Sequence, residues 1–210
     1  MKDGDRTKVA EEAAKLLYFN FVEDYKSAKE AACNSLGIKT LPSNFDVAMK
    51  LDELADKIEG KPRSEQLIDL RKIALRIMDE LETFKPKLVG SVWRGTSRKG
   101  SDIDITVYSE RVDTVVDLLR GKYDNVKSEY TSKTSAGVTI RFFHTYFSIP
   151  PGYDVEVVIR SPEVIHERYR CEIYGDYVVG LTRDQLHQLL ERDAVKRFLP
   201  ERKIGLKKRE

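Results

Sequence analysis

The chain has 210 residues, of which 40% are hydrophobic and 34% are charged, so it can form one domain with an appendage or two small domains. No apolar run approaches the roughly 18 residues of a membrane-spanning helix, and no charged-then-apolar leader opens the chain. The formal net charge of +2 is too small to indicate a nucleic-acid-binding protein by itself. Cys33 and Cys171 lack the spacing of metal ligands, and we expect both to be reduced. We therefore expect a soluble, cytoplasmic protein without a membrane partner.

The first part of the chain has the pattern of helices. Apolar residues recur at helical spacing over residues 7–34, which predicts one long first helix. A capping box that begins at Ser43 predicts the start of a second helix. Ser64 is the predicted N-cap of a third helix, which ends near Pro86. We therefore assign residues 1–85 to an N-terminal helical region.

Strand patterns dominate after Pro86, and helices lie between them. Apolar or alternating segments predict strands at residues 88–89, 103–107, 126–130, 138–147 and 153–159. Helices are predicted at residues 112–119, in a short segment from Ser161, and from a capping box at Thr182 through Val195. The prediction is an α+β fold, with a mixed sheet, a C-terminal helix and a basic tail within residues 86–210.

Two aspartates on one predicted strand are the first candidate site residues. Ile103 and Ile105 face the core in this strand, so Asp102 and Asp104 project together from the other face, with Cα atoms roughly 6–7 Å apart. Their charges repel unless a cation compensates, and hard oxygen ligands suit Mg²⁺, with Mn²⁺ as the alternative. Two such ions about 3.5–4 Å apart would clamp both oxygens of an in-line phosphoryl displacement.

A glycine and a serine follow the short strand that precedes this pair. Gly90 lets the backbone approach a phosphate closely, and Ser91 offers an N–H and a hydroxyl. The connecting segment carries Arg94, Arg98 and Lys99, whose charges suit a triphosphate. We predict that Gly90, Ser91, Arg94 and Lys99 bind the substrate.

The whole segment resembles a known signature. It reads Gly90-Ser91, then Arg94-Gly95-Thr96, then Gly100-Ser101-Asp102-Ile103-Asp104. This is similar to the motif of the DNA polymerase β-like nucleotidyltransferase superfamily, and in detail to archaeal CCA-adding enzymes, 2′-5′-oligoadenylate synthetases and minimal nucleotidyltransferases. The resemblance implies an enzyme with a nucleotidyltransferase core that transfers a nucleoside monophosphate from an NTP, with ATP expected, to an acceptor hydroxyl. It also implies catalytic, metal-binding roles for Asp102 and Asp104 and for a third carboxylate on a neighbouring strand.

Two residues of the segment Tyr153–Val158 are candidates for that third carboxylate. Asp154 and Glu156 share one face of the predicted strand. Valines flank Glu156 on both sides, which favours it, whereas an aspartate is more usual at this place in the family and keeps Asp154 open.

The acceptor has three alternatives at this point. Basic residues from Arg192 to Arg209 would bind an RNA backbone, although such a run is also typical of a solvated tail. Some minimal nucleotidyltransferases of toxin–antitoxin systems modify protein hydroxyls instead. A non-catalytic nucleotide-binding or RNA-binding module is the alternative outside the enzymes.

Overall fold

The computed structural model describes residues 2–135 and 138–201, which form an α+β fold with seven helices and a mixed six-stranded sheet. The helices are α1 (Lys2–Tyr18), α2 (Tyr25–Leu36), α3 (Asn44–Glu59), α4 (Lys61–Glu80), α5 (Gly90–Arg94), α6 (Val112–Arg120) and α7 (Arg183–Arg192). The strands are β1 (Lys87–Val89), β2 (Ile103–Tyr108), β3 (Lys127–Ser135), β4 (Val138–Ile149), β5 (Tyr153–Arg160) and β6 (Leu181–Thr182). The fold class expected from the sequence is thus confirmed.

The single first helix predicted over residues 7–34 is wrong. The chain forms α1 and α2 instead, and the segment between them leaves Phe19 and Phe21 exposed. The carboxylate of Asp24 accepts hydrogen bonds from the backbone N–H groups of Lys26 and Ser27, at 2.9 Å each. This N-cap starts a new helix inside an apolar pattern that looks continuous in the sequence.

The junction between α3 and α4 is tighter than the sequence suggested. The capping box at Ser43 is confirmed. Ser64, however, lies inside α4 and does not cap it, because the helix begins at Lys61 with Pro62 in its first turn, a position that proline favours. Gly60, with a φ of 57°, is both the C-terminal cap of α3 and the residue before α4.

In the last helix, the capping box at Thr182 is confirmed, but α7 ends before Val195.

The strand order in the sheet is β3-β4-β5-β2-β1-β6. Strands β2 and β5 are parallel, and the other neighbours are antiparallel. The predicted strands are present, whereas the two-residue β6 was not predicted because it is too short to show a period. The segment that starts at Ser161 forms a 3-10 turn, Pro162–Val164, and the predicted turn between β3 and β4 includes residues outside the described ones.

The described part of the chain contains two clusters of buried hydrophobic side chains. The larger one combines α4, α6 and α7 with the inner side chains of the sheet, among them Ile103 and Ile105 of β2 and Val155 and Val157 of β5. The smaller one joins α1, α2 and α3. A boundary between residues 85 and 86 stays a prediction, although α4 packs with the sheet. Cys33 and Cys171 are free thiols, and none of the described helices is both long and apolar enough to cross a membrane.

Candidate active site

Three carboxylates meet on the face of the sheet opposite the larger core. Asp104 of β2 is the register partner of Glu156 on the parallel strand β5, and Asp102 lies just before β2 on the same face. One carboxylate oxygen of each residue lies within 4.8 Å of the others. Asp154, the other candidate third carboxylate, is exposed and accepts a hydrogen bond from the Ser148 hydroxyl at 2.6 Å. The structure therefore brings Glu156, and not Asp154, to the aspartate pair.

The electrostatics of these acids are unfavourable without a cation. Burial raises the pKa of Asp104 well above its ordinary value, and the charges of Asp102 and Glu156 raise it further. The pKa of Asp102 is also raised, mainly by burial and then by Glu156, while the charge of Arg98 acts in the opposite direction. Among the side chains that the structure describes, which leave out residues 133–141, no lysine or arginine forms an ion pair with either aspartate. Three close oxygen donors that repel one another fit a hard divalent cation.

Gly90 lies directly against Asp104. Its φ is 68°, and a Cβ atom built on it would come within 1.7 Å of Oδ2 of Asp104. Any other residue would therefore displace this carboxylate. The glycine of the Gly90-Ser91 step is required by contact as well as by backbone conformation.

A buried arginine fixes the short helix α5 that follows. Arg71 of α4 is fully buried and donates hydrogen bonds to the carbonyl oxygens of Val92 and Trp93 at 3.1 and 3.0 Å. It also donates to the carbonyl oxygens of Ala194 and Lys196 at 2.7 and 2.9 Å. One side chain thus satisfies carbonyls at the end of α5 and in the segment after α7. The sequence gives no sign of this role, because Arg71 looks like one more charged residue of a helix.

Arg94 is held by several contacts within the fold. Its side chain is only 4% exposed and pairs with Asp176 at 2.7 Å. The guanidinium lies 4.5 Å from the ring centroid of Trp93 and 4.4 Å from that of Tyr174. The charge of Arg94 is paired with Asp176, but Arg94 also lines a cavity together with Gly90 and Ser91. Substrate binding by Arg94 therefore stays a prediction.

The N-terminal helices hold the motif loop between α5 and β2. Arg63 donates hydrogen bonds to the carbonyl oxygens of Ser97 and Thr96 at 2.8 and 3.0 Å. The carboxylate of Glu59 accepts from the backbone N–H of Lys99 at 3.2 Å, and the Lys99 side chain is exposed. Helices α3 and α4 therefore position the loop that precedes Asp102.

A cavity of about 240 Å³ opens beside this loop. Gly90, Ser91 and Arg98 line it together with Tyr25 of α2 and Tyr174. Unlike Arg63 and Arg94, Arg98 forms no ion pair with a described residue. Its positive charge acts to lower the pKa of Asp102, against the larger effect of burial. The contribution of Tyr25 could not be found from the sequence, because it depends on how α2 lies over the loop.

A second cavity of about 450 Å³ lies on the other side of the triad. The side chains that line it include Asp102, Asp124, Lys127, Tyr146, Asp154 and Glu156. The triad therefore borders the second cavity through Asp102 and Glu156, and Asp104 adjoins Gly90, which lines the first cavity.

Comparison with known proteins identifies the region that carries this site. The family model of the nucleotidyltransferase domain matches residues 70–200. The match begins within α4 and includes the whole sheet, α5, the motif loop and α7. Among curated proteins, none matches the chain.

Proposed function

Because the chain belongs to the nucleotidyltransferase domain family of the polymerase β-like superfamily, we propose that it is a two-metal enzyme acting on an NTP, with ATP expected. It transfers the nucleoside monophosphate to an acceptor hydroxyl. The acceptor hydroxyl loses its proton to water, its oxygen bonds to the α-phosphorus, the bond from that phosphorus to the bridging oxygen breaks, and pyrophosphate leaves. The observation that carries the proposal is the meeting of Asp102, Asp104 and Glu156 within 4.8 Å beside Gly90.

The triad would hold the metal ions. Asp104 is central in the triad, since it borders Gly90 on one side and Glu156 on the other. Asp102 and Asp104 are the proposed shared ligands, and Glu156 completes the site on the acceptor side, with Mg²⁺ or Mn²⁺ as the expected ion. The chemistry supplied by bound ions of this kind is activation of the attacking oxygen and neutralisation of charge on the leaving oxygen.

The triphosphate would lie at the cavity of about 240 Å³. Gly90 has no side chain to hinder the approach of a phosphate, and Ser91 offers its hydroxyl. Arg98, which forms no ion pair with a described residue, is the guanidinium that we assign to the phosphates. Lys99 stays a prediction as a further cation, since its exposed side chain lies on the same loop.

The acceptor hydroxyl would enter from the cavity of about 450 Å³ that Glu156 and Asp102 border. RNA remains the acceptor favoured by the basic tail, and protein hydroxyls remain the alternative. Residues 202–210 of that tail lie outside the described residues. Arg197, which the sequence groups with the tail, pairs with Asp52 and Asp56 at 2.8 and 2.6 Å and so contributes to the fold.

The test is transfer of label from each NTP, labelled at the α-phosphate, to total RNA, to protein and to small molecules in the presence of Mg²⁺ or Mn²⁺. We expect label in one of these pools with the wild-type chain and none with Asp102→Asn. Asp113→Asn, which changes an exposed carboxylate on α6, is the matched control and should retain full transfer. Binding of NTP without transfer by the wild-type chain would establish the non-catalytic alternative and overturn the proposal.

A further inference from the structure

We propose that His144 is a positioning residue, which holds the Glu156 carboxylate in the orientation that completes the metal site. The inference rests on the proposed function, in which Glu156 is the third ligand. His144 lies on β4, and none of its described hydrogen bonds is with Asp102 or Asp104.

The contact between the two side chains is short and shielded. Nδ1 of His144 lies 2.7 Å from Oε1 of Glu156, and the two side chains are only 18% and 22% exposed. An ionised carboxylate can only accept hydrogen bonds, so Nδ1 is the donor. A charge-assisted hydrogen bond of this length is stronger away from water than at an exposed site.

The register of the sheet produces this contact. Tyr146 is the direct antiparallel partner of Glu156, and His144 is the partner of Val158. His144 therefore reaches Glu156 diagonally across β4 and β5, a distance that a long side chain can span. No sequence pattern links positions 144 and 156, which explains why the pair could not be predicted.

The imidazole ring is itself fixed from two further directions. Its Nε2 lies 2.7 Å from the hydroxyl oxygen of Thr131 on β3, so both ring nitrogens have partners. The ring also stacks on Tyr146, with a centroid distance of 6.1 Å and an interplanar angle of 11°. Thr131, His144 and Glu156 form a continuous chain over three neighbouring strands that ends at Asp104 on the fourth.

The contacts from Thr131 through His144 to Glu156 oppose the electrostatic repulsion between Glu156 and Asp104. Carboxylate oxygens of Glu156 and Asp104 lie within 4.8 Å of each other, so like charges there repel, and a glutamate has rotatable bonds that let it turn away. The hydrogen bond from His144 uses one lone pair of Oε1 and leaves the remaining acceptor capacity of the carboxylate for a cation. Partners of this kind orient metal ligands, and their loss typically weakens metal affinity by about 10–100-fold.

The experiment measures binding of Mn²⁺ alone to the full chain by titration calorimetry. We expect His144→Ala to raise the Kd for Mn²⁺ by about 10–100-fold. His144→Asn should restore most of the affinity, because its amide nitrogen can take the place of Nδ1. Thr131→Val, which removes only the support of Nε2, should have an intermediate effect.

The chain provides its own control in a second histidine–glutamate pair. His187 and Glu191 lie 3.7 Å apart on α7, and both are more than half exposed. His187→Ala should leave the Kd for Mn²⁺ unchanged.

The outcomes separate this inference from the proposed function. An unchanged Kd in both His144→Ala and Thr131→Val, with binding lost in Glu156→Gln, overturns the positioning role alone. An equal rise of the Kd for Mn²⁺ in His144→Ala and His144→Asn also overturns it, because the hydrogen-bond donor that asparagine retains would then not contribute to metal binding. Absence of Mn²⁺ binding by the wild-type chain overturns the metal site and this inference together.

Discussion

Substitution of Gly90 by alanine tests how closely the nucleotide loop and the metal site are coupled. The new Cβ atom would lie 1.7 Å from Oδ2 of Asp104, whereas real Cβ contacts essentially never fall below 3.0 Å. The carboxylate must therefore shift by roughly 1 Å or more, a displacement that can cost about 10²-fold in rate. The backbone adds its own cost, because φ is 68° and an alanine in this region is destabilised by roughly 1–2 kcal/mol.

Gly100→Ala separates the two effects. Gly100 lies in the same motif loop with a φ of 81°, but a Cβ atom there would meet nothing within 4 Å. Both variants should lose comparable stability in urea denaturation. In the transfer assay at saturating NTP, kcat should fall by about 10²-fold in Gly90→Ala and change little in Gly100→Ala. Equal kcat values for the two variants would refute the contact between Gly90 and the metal ligand as the reason for the glycine.

Three further predictions concern the triad, the Gly90-Ser91 step and the basic tail. Asp104→Asn should abolish transfer yet stabilise the metal-free protein at neutral pH. Burial and the neighbouring carboxylates raise the pKa of Asp104 in the folded state. The free energy of unfolding of the metal-free wild type should therefore fall as the pH rises above about 3.9, and it should fall less in the variant. Urea denaturation in EDTA at several pH values measures both. Ser91→Ala should weaken binding of a non-hydrolysable NTP by about 1–3 kcal/mol in calorimetry, and equal affinity would exclude the serine from the phosphate site. Deletion of residues 203–210 should flatten the salt dependence of RNA binding in gel shifts without changing NTP affinity, whereas identical slopes would favour a protein or small-molecule acceptor.

Local signals in the sequence predicted much of the fold and the candidate triad. The capping boxes at Ser43 and Thr182 depend only on residues three positions apart, and both are present. Asp102 and Asp104 lie on the same face because side chains two positions apart in any β-strand point to the same side. The choice of Glu156 over Asp154 came from flanking valines, and the register with Asp104 agrees with it.

Features that depend on contacts distant in the chain could not be predicted in the same way. The contacts of the Arg94 guanidinium with Asp176 and two aromatic rings join residues far apart in the sequence, so the motif alone does not indicate them. The break between α1 and α2 was hidden because apolar residues continue through it. The contact of His144 with Glu156 exists only through the register of β4 and β5.

The most direct test of the central claim is a crystal structure of the wild-type chain with Mn²⁺ and a non-hydrolysable NTP, with the metal located by anomalous scattering. We expect Mn²⁺ within roughly 2.0–2.5 Å of oxygens from Asp102, Asp104 and Glu156, with the triphosphate at Gly90 and Ser91. Mn²⁺ bound away from these three carboxylates, or a triphosphate bound elsewhere on the chain, would contradict it.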